Sequence, residues 1–178
     1  HPCRWNYKLV EETRPGEYMD VFENERGTFI FNSKDLCTIR HIPELVQSGI
    51  ASLKIEGRVK TSYYVATVVG AYRREIDRYC ADPENYVFNE AEYEELCKVS
   101  HRPYTTGFYF GKPDENSQVY TSSSYIRDYD LIGIVKDYDE KTGIATITQR
   151  NRFFKGDEIE IIQPMKPFFV QTVESMCD

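Results

Sequence analysis

Between Thr61 and about Ala81, apolar side chains recur at Val65, Val68, Val69, Tyr72, Ile76 and Tyr79. That spacing follows the 3.6-residue turn and predicts the longest helix of the chain. Just before it, Leu53-Lys54-Ile55-Glu56 alternates apolar and charged residues, the pattern of a strand. The same order occurs upstream, where Thr28 to Asn32 reads as a strand and Ile42 to Gln47 as a short helix closed by Ser48-Gly49. Glycine is the usual residue just past a helix end. Strand, helix, strand, helix in this order calls for a parallel sheet, because parallel neighbours are joined by a crossover. An α/β layer or part of a barrel is the expected architecture.

The flanking regions are different in kind. Trp5 to Val10 and Tyr18 to Glu23 read as strands, separated by a turn centred on Pro15-Gly16. Asp82-Pro83 stops the long helix, and Asn89 caps a short one running to Val99, with Glu92 placed to complete a capping box. Residues 100–124 are rich in Tyr, Thr, Ser and Gly, with little periodicity, and read as a linker. After residue 125 come four short strand patterns, Asp130 to Tyr138, Gly143 to Thr148, Glu158 to Ile162 and Phe168 to Val173, with turn residues between them. They predict a small antiparallel barrel or sandwich. Three segments result: 1–99, α/β; 100–124, linker; 125–178, all-β.

Composition removes several classes. The chain has 178 residues, and 14% are aromatic, which is incompatible with disorder throughout. No apolar run approaches the ~20 residues of a membrane span, and His1 to Val10 lacks the apolar core of a signal peptide. A chain that opens on His1 and stops at Cys177-Asp178 reads as a piece of a longer protein. The net charge of -7 lies entirely in residues 61–178, while the first sixty residues are balanced. Any nucleic-acid contact must therefore be local. Five cysteines, an odd number without a CxxC pair, speak against a secreted disulfide framework and for the reducing cytoplasm.

Four groups of residues could carry chemistry. Along Ser52 to Arg58, alternation places Leu53 and Ile55 on one face and Lys54, Glu56 and Arg58 on the other. In a βα barrel the charged side faces the lumen near the C-terminal mouth, where active sites are built; on an edge strand it is a solvated ladder. Lys34 and Asp35 lie at a second strand-to-helix junction. There a lysine can hold an anion and a carboxylate can orient it or move a proton, or Ser33 or Asp35 simply caps the helix. Cys3 and Cys37 have no metal-binding spacing of their own and read as buried thiols. Gln149 to Asp157 is basic and aromatic. Arg150 and Arg152 could grip a phosphate backbone while Phe153 or Phe154 stacks on a base, or the rings could be tucked into the β domain. No HxxxH, GxSxG or glycine-rich phosphate loop occurs.

Several of these stretches together resemble the collagenase-like peptidases of peptidase family U32. They are Cys3-Arg4-Trp5 with Tyr7, Glu11-Glu12, Arg14-Pro15-Gly16-Glu17, Asn32-Ser33-Lys34-Asp35-Leu36-Cys37 and Ser52-Leu53-Lys54-Ile55-Glu56-Gly57-Arg58. Tyr64-Val65-Ala66, Ala71-Tyr72-Arg73, Thr106-Gly107-Phe108 and Gln149-Arg150-Asn151-Arg152-Phe153 with Gly156-Asp157 extend the likeness along nearly the whole chain. The resemblance implies the last βα units of a TIM-barrel-like domain followed by a small antiparallel β-barrel. It also implies an RNA hydroxylase acting on the wobble uridine of transfer RNA or on a ribosomal cytidine, with prephenate as co-substrate in the transfer-RNA branch. Relatives carry a four-iron–four-sulfur cluster on four cysteines. By position Cys37, and less directly Cys3, correspond to ligands, the others lying before His1. Lys54, Glu56, Arg58, Lys34 and Asp35 are then the candidate catalytic residues, and Arg150, Arg152 and Phe153 the candidate RNA contacts. Proteolysis, the activity in the family's name, and a non-catalytic RNA-binding module are the competing functions. A peptidase would need a nucleophile–base pair or a His/carboxylate metal set, and the three scattered His residues make neither.

Overall fold

In the order of the chain, the elements are β1 (Lys8–Val10), β2 (Tyr18–Asp20), β3 (Phe22–Asn24), β4 (Gly27–Phe29), β5 (Asp35–Leu36), α1 (Ile42–Gln47), α2 (Ser62–Ala81), α3 (Glu90–Lys98), β6 (Tyr104–Thr105), β7 (Gly133–Asp139), β8 (Ile144–Gln149), β9 (Glu158–Gln163) and β10 (Lys166–Thr172). This computed structural model describes residues 5, 7–13, 15–25, 27–29, 33–112, 119 and 125–177. The chain divides into two compact units, one of residues 1–39 and 100–126, the other of residues 40–99 and 127–178.

The first unit is built from strand pairs. β1 and β2 pair antiparallel through Leu9 and Met19, and β3 and β4 through Glu23 and Thr28. The single strand expected over Tyr18 to Glu23 is therefore two, because its halves take different partners. The strand expected at Thr28 to Asn32 is seen only in part, as β4; Ile30, Phe31 and Asn32 lie outside the described residues. Further along, β5 pairs parallel with β6, aligning Asp35 with Tyr104 and Leu36 with Thr105. The pairing extends past both ends: the Asp35 N–H donates to the Pro103 carbonyl at 3.0 Å and the Cys37 N–H to the Thr105 carbonyl at 2.8 Å. A parallel pair requires a long crossover, and the chain between β5 and β6 carries all three helices. So the stretch read as a linker contributes a strand. His101 adds an antiparallel bridge to Ile126, and its ring stacks on Tyr104 with centroids 4.4 Å apart.

The helices of the second unit begin and end where their caps dictate. The Thr61 side chain accepts the Tyr64 N–H at the start of α2, and the Asn89 side chain accepts the Ala91 N–H at the start of α3. Gly49 follows α1 at φ 77°, a left-handed conformation that glycine adopts without a Cβ penalty. Ile42 and Leu45 of α1 and Tyr79 of α2 are buried together, with Leu53, Tyr72, Ile76 and Tyr86 packed around them. The buried stripe of α2 is Thr67, Val68, Ala71, Glu75 and Tyr79. This is rotated from the apolar stripe, leaving Val65 and Val69 exposed. Two polar contacts accompany the rotation. Arg74 reaches α3 and grips the Glu92 carboxylate, Nε lying 2.8 and 3.0 Å from its two oxygens. Glu75, fully buried, accepts from Arg78 Nε at 2.9 Å and from the Tyr86 hydroxyl at 2.7 Å. Because Arg74 takes Glu92, the side chain that would complete the capping box serves the α2–α3 contact instead.

The four strands after residue 125 form as patterned. β7 pairs with β8 and β9 with β10, both antiparallel and each with one register irregularity. Among the described residues no ladder joins one hairpin to the other. β9 and β10 are anchored to α3 through Lys98, whose Nζ donates to both Glu160 carboxylate oxygens at 2.9 Å.

Candidate functional site

Residues 52–57 carry no strand pairing among the described residues, which corrects the strand expected there. Exposure nevertheless alternates along them: Leu53 and Ile55 are half-buried, while Lys54, Glu56 and Arg58 are exposed. Packing against α1 and α2 therefore imposes the facing, rather than a sheet. Leu53 seats in the Ile42, Leu45 and Tyr79 cluster. Glu56 folds back to accept the Arg58 N–H through Oε1 at 2.6 Å, and the Lys60 N–H donates to the Gly57 carbonyl at 3.0 Å. This turn leads directly to the Thr61 cap. Among the described residues, none of Lys54, Glu56 and Arg58 is held in an ion pair, so all three present their charge to solvent.

Gly57 sets how close this turn comes to α2. A Cβ at this position would lie 2.6 Å from Val65 Cγ2, and a valine in a helix has essentially one rotamer. Gly57→Ala is therefore expected to cost roughly 1–3 kcal/mol by overpacking and to move Glu56 and Arg58. A thermal melt of the variant checks this, and a melt unchanged from the parent would refute the tight contact.

Asp35 lies in β5 and caps no helix. It is half-buried in β5, and its carboxylate accepts the Arg102 N–H at 2.9 Å while lying 3.6 Å from Arg102 Nε. Arg102 Nη1 also donates to the Ser33 carbonyl at 2.9 Å. Asp35 and Arg102 thus fasten the parallel pair, a role the sequence reading missed because the two residues are far apart in the chain. Lys34 beside it is half-buried. Lys34 and Asp35 belong to the first unit, and Lys54, Glu56 and Arg58 to the second.

Cys37 follows β5 directly and is buried. Cys3 lies outside the described residues. A four-iron–four-sulfur cluster needs four thiolates, and among the described residues no three His, Cys, Asp or Glu side chains group to hold a metal. The donor set described here does not by itself fit a cluster.

The basic loop between β8 and β9 is pinned at both ends. The N–H groups of Arg150 and Asn151 donate to the Ile132 carbonyl, and Asn151 Nδ2 to the Leu131 carbonyl. At the far end the Phe154 N–H donates to Asp157 Oδ2 at 2.8 Å. Gly156, at φ 94°, donates its N–H to the Val173 carbonyl. Arg150 and Arg152 are exposed. Phe153, the ring proposed for RNA contact, is half-buried, and Phe154 is the exposed one.

No helix among the described residues is long and apolar enough to cross a membrane. Compared with known proteins, the chain is 43% identical over 99% of its length to tRNA hydroxylation protein P1 of Bacillus subtilis, covering 42% of that protein. It is 37% identical over 89% of its length to tRNA hydroxylation protein P of Escherichia coli, covering 34% of it. A collagenase of Porphyromonas gingivalis is 30% identical over 98% of the chain, which covers 41% of that protein. The chain thus spans less than half the length of each of these relatives. No solved structure matches. The Peptidase family U32 model matches residues 1–119 and the model of the Peptidase family U32 C-terminal domain matches residues 127–178, and with both models laid along it in order, the chain belongs to Peptidase family U32.

Proposed function

We propose that this chain is the C-terminal part of a tRNA-hydroxylating enzyme acting at C5 of the wobble uridine. The observation that carries the reading is the 43% identity to tRNA hydroxylation protein P1 over 99% of the chain, above the 30% shared with the collagenase. In this reading residues 1–99 close a TIM-barrel-like catalytic domain, and residues 125–178 belong to a small β-barrel. The β5–β6 pair is parallel with a helical crossover, as βα units require, and the C-terminal hairpins are antiparallel; no closed barrel is seen among the described residues. A tRNA substrate is in keeping with a cytoplasmic enzyme.

The exposed side chains of Lys54 and Arg58 are suited to an anionic co-substrate such as prephenate, since neither charge is spent on an ion pair among the described residues. Glu56 keeps its second oxygen for a proton. Cys37, and less directly Cys3, would serve as ligands of an iron–sulfur cluster whose other thiolates come from the rest of the longer protein.

Mass spectrometry of tRNA from cells lacking the gene tests the function. The hydroxylated wobble uridine is expected to disappear and to return with the full-length gene. Intact modification in the deletion strain, together with cleavage of collagen peptides by the purified protein, would give the peptidase reading instead.

A further inference from the structure

We propose that the β8–β9 loop is a preformed platform for single-stranded RNA, with the Phe154 ring as its stacking surface and Arg150, Arg152 and Lys155 as its phosphate contacts. The proposal rests on the tRNA reading for its substrate and adds the place and manner of contact. Residues 61–178 hold the whole net charge of -7, yet from Gln149 to Lys155 three cations stand with no acid among them. Such a local reversal of sign is what a polyanion would find on an otherwise repelling surface. Among the described residues, none of the three cations is tied up in an ion pair. The Asp157 carboxylate, the nearest acid in sequence, accepts the Phe154 N–H through Oδ2.

The loop is also rigid where stacking needs it to be. Backbone bonds to Ile132 and Val173 hold its two ends, and none of them uses a cationic side chain. Between these anchors the two phenylalanines divide. Phe153 is half-buried, and Phe154 is 59% exposed. The Arg152 guanidinium lies 6.0 Å from the Phe154 ring centroid, at the edge of cation–π range. A flat ring beside an unspent guanidinium can take a base face and its phosphate together. Inside a duplex every base face is covered by its neighbours and only the two terminal pairs offer one, so the ring favours unpaired nucleotides.

The test measures binding of the full-length protein to a fluorescein-labelled tRNA anticodon stem-loop and to a blunt RNA duplex of equal length. Phe154→Ala is expected to weaken stem-loop binding roughly tenfold, the loss of one stacked base, with little change in duplex binding. Arg152→Ala is expected to weaken both and to reduce the salt slope by about 0.7. Because the Phe154 ring is exposed, its variant keeps the parent melting temperature, whereas Phe153→Ala lowers it. Stem-loop affinity unchanged in Phe154→Ala, or an equal loss on stem-loop and duplex, would overturn the platform. The modification assay is independent of this one. A protein that binds through Phe154 but leaves tRNA unmodified would refute the hydroxylase reading and keep the loop, and the converse result would do the opposite.

Discussion

Replacing Arg74 with Ala is expected to lower the stability of the chain by roughly 3–5 kcal/mol, the cost of leaving a buried carboxylate without its cation. Arg74 and Glu92 are 19% and 8% exposed, so solvent does little to screen them. The guanidinium donates from Nε and Nη2 to both carboxylate oxygens. Those hydrogen bonds hold its pKa above the ordinary arginine value, against the opposing effect of burial. Truncation removes the fork, leaves Glu92 in place without its cation, and takes away the charge that also attracts Glu95 and Glu75. Urea denaturation measures the loss. The companion variant, Arg74→Met with Glu92→Leu, is expected to recover most of it, because a buried pair exchanged for apolar side chains of similar volume is often neutral. A loss below about 1 kcal/mol in Arg74→Ala would mean that the seam is held by its apolar contacts alone.

That seam also shows what the sequence could and could not tell. α1, α2 and α3 were legible because their signals are local: apolar spacing, a Thr61 or Asn89 cap, Gly49 after the end. The four strands of β7 to β10 were legible for the same reason, as short runs between turn residues. What failed depends on partners distant in sequence. Glu75 counts as polar by type, and only the Tyr86 hydroxyl and Arg78 make its burial tolerable. Glu92 sits at a capping-box position, and Arg74, eighteen residues earlier, takes it instead. Asp35 sits at a strand-to-helix junction, and Arg102, sixty-seven residues on, donates its N–H to the carboxylate. In the candidate site, the alternation of Leu53 to Arg58 gave the right faces for the wrong reason, since α1 and α2 supply the packing that a sheet was expected to supply. The choice between Phe153 and Phe154 could not be made from neighbouring residues of the same type, and it follows from how Gly156 and Asp157 close the loop.

Lys98 is the second place where one side chain carries much of the packing. Its Nζ lies 2.7 Å from Glu95 Oε1 and 2.9 Å from both oxygens of Glu160, tying the end of α3 to β9. The same ammonium sits 3.6 Å from the Phe168 ring centroid and 5.3 Å from that of Tyr129, where cation–π attraction adds to the ion pairs. Tyr63 shares this pocket, and burial first, then the negative charge of Glu95 and Glu160, pushes its phenol above the usual range. Lys98→Ala leaves two carboxylates with no cation between them, and it is expected to cost roughly 3 kcal/mol at neutral pH. Limited proteolysis should then cut within 127–178 well before it reaches the helices, because the β9–β10 hairpin loses its tie to α3. Lys98→Met distinguishes charge from packing. It keeps an unbranched apolar stem against Phe168 and removes the ammonium, so it is expected to lose nearly as much stability as Lys98→Ala in urea denaturation. A Lys98→Met chain as stable as the parent would show that Lys98 acts through its aliphatic stem.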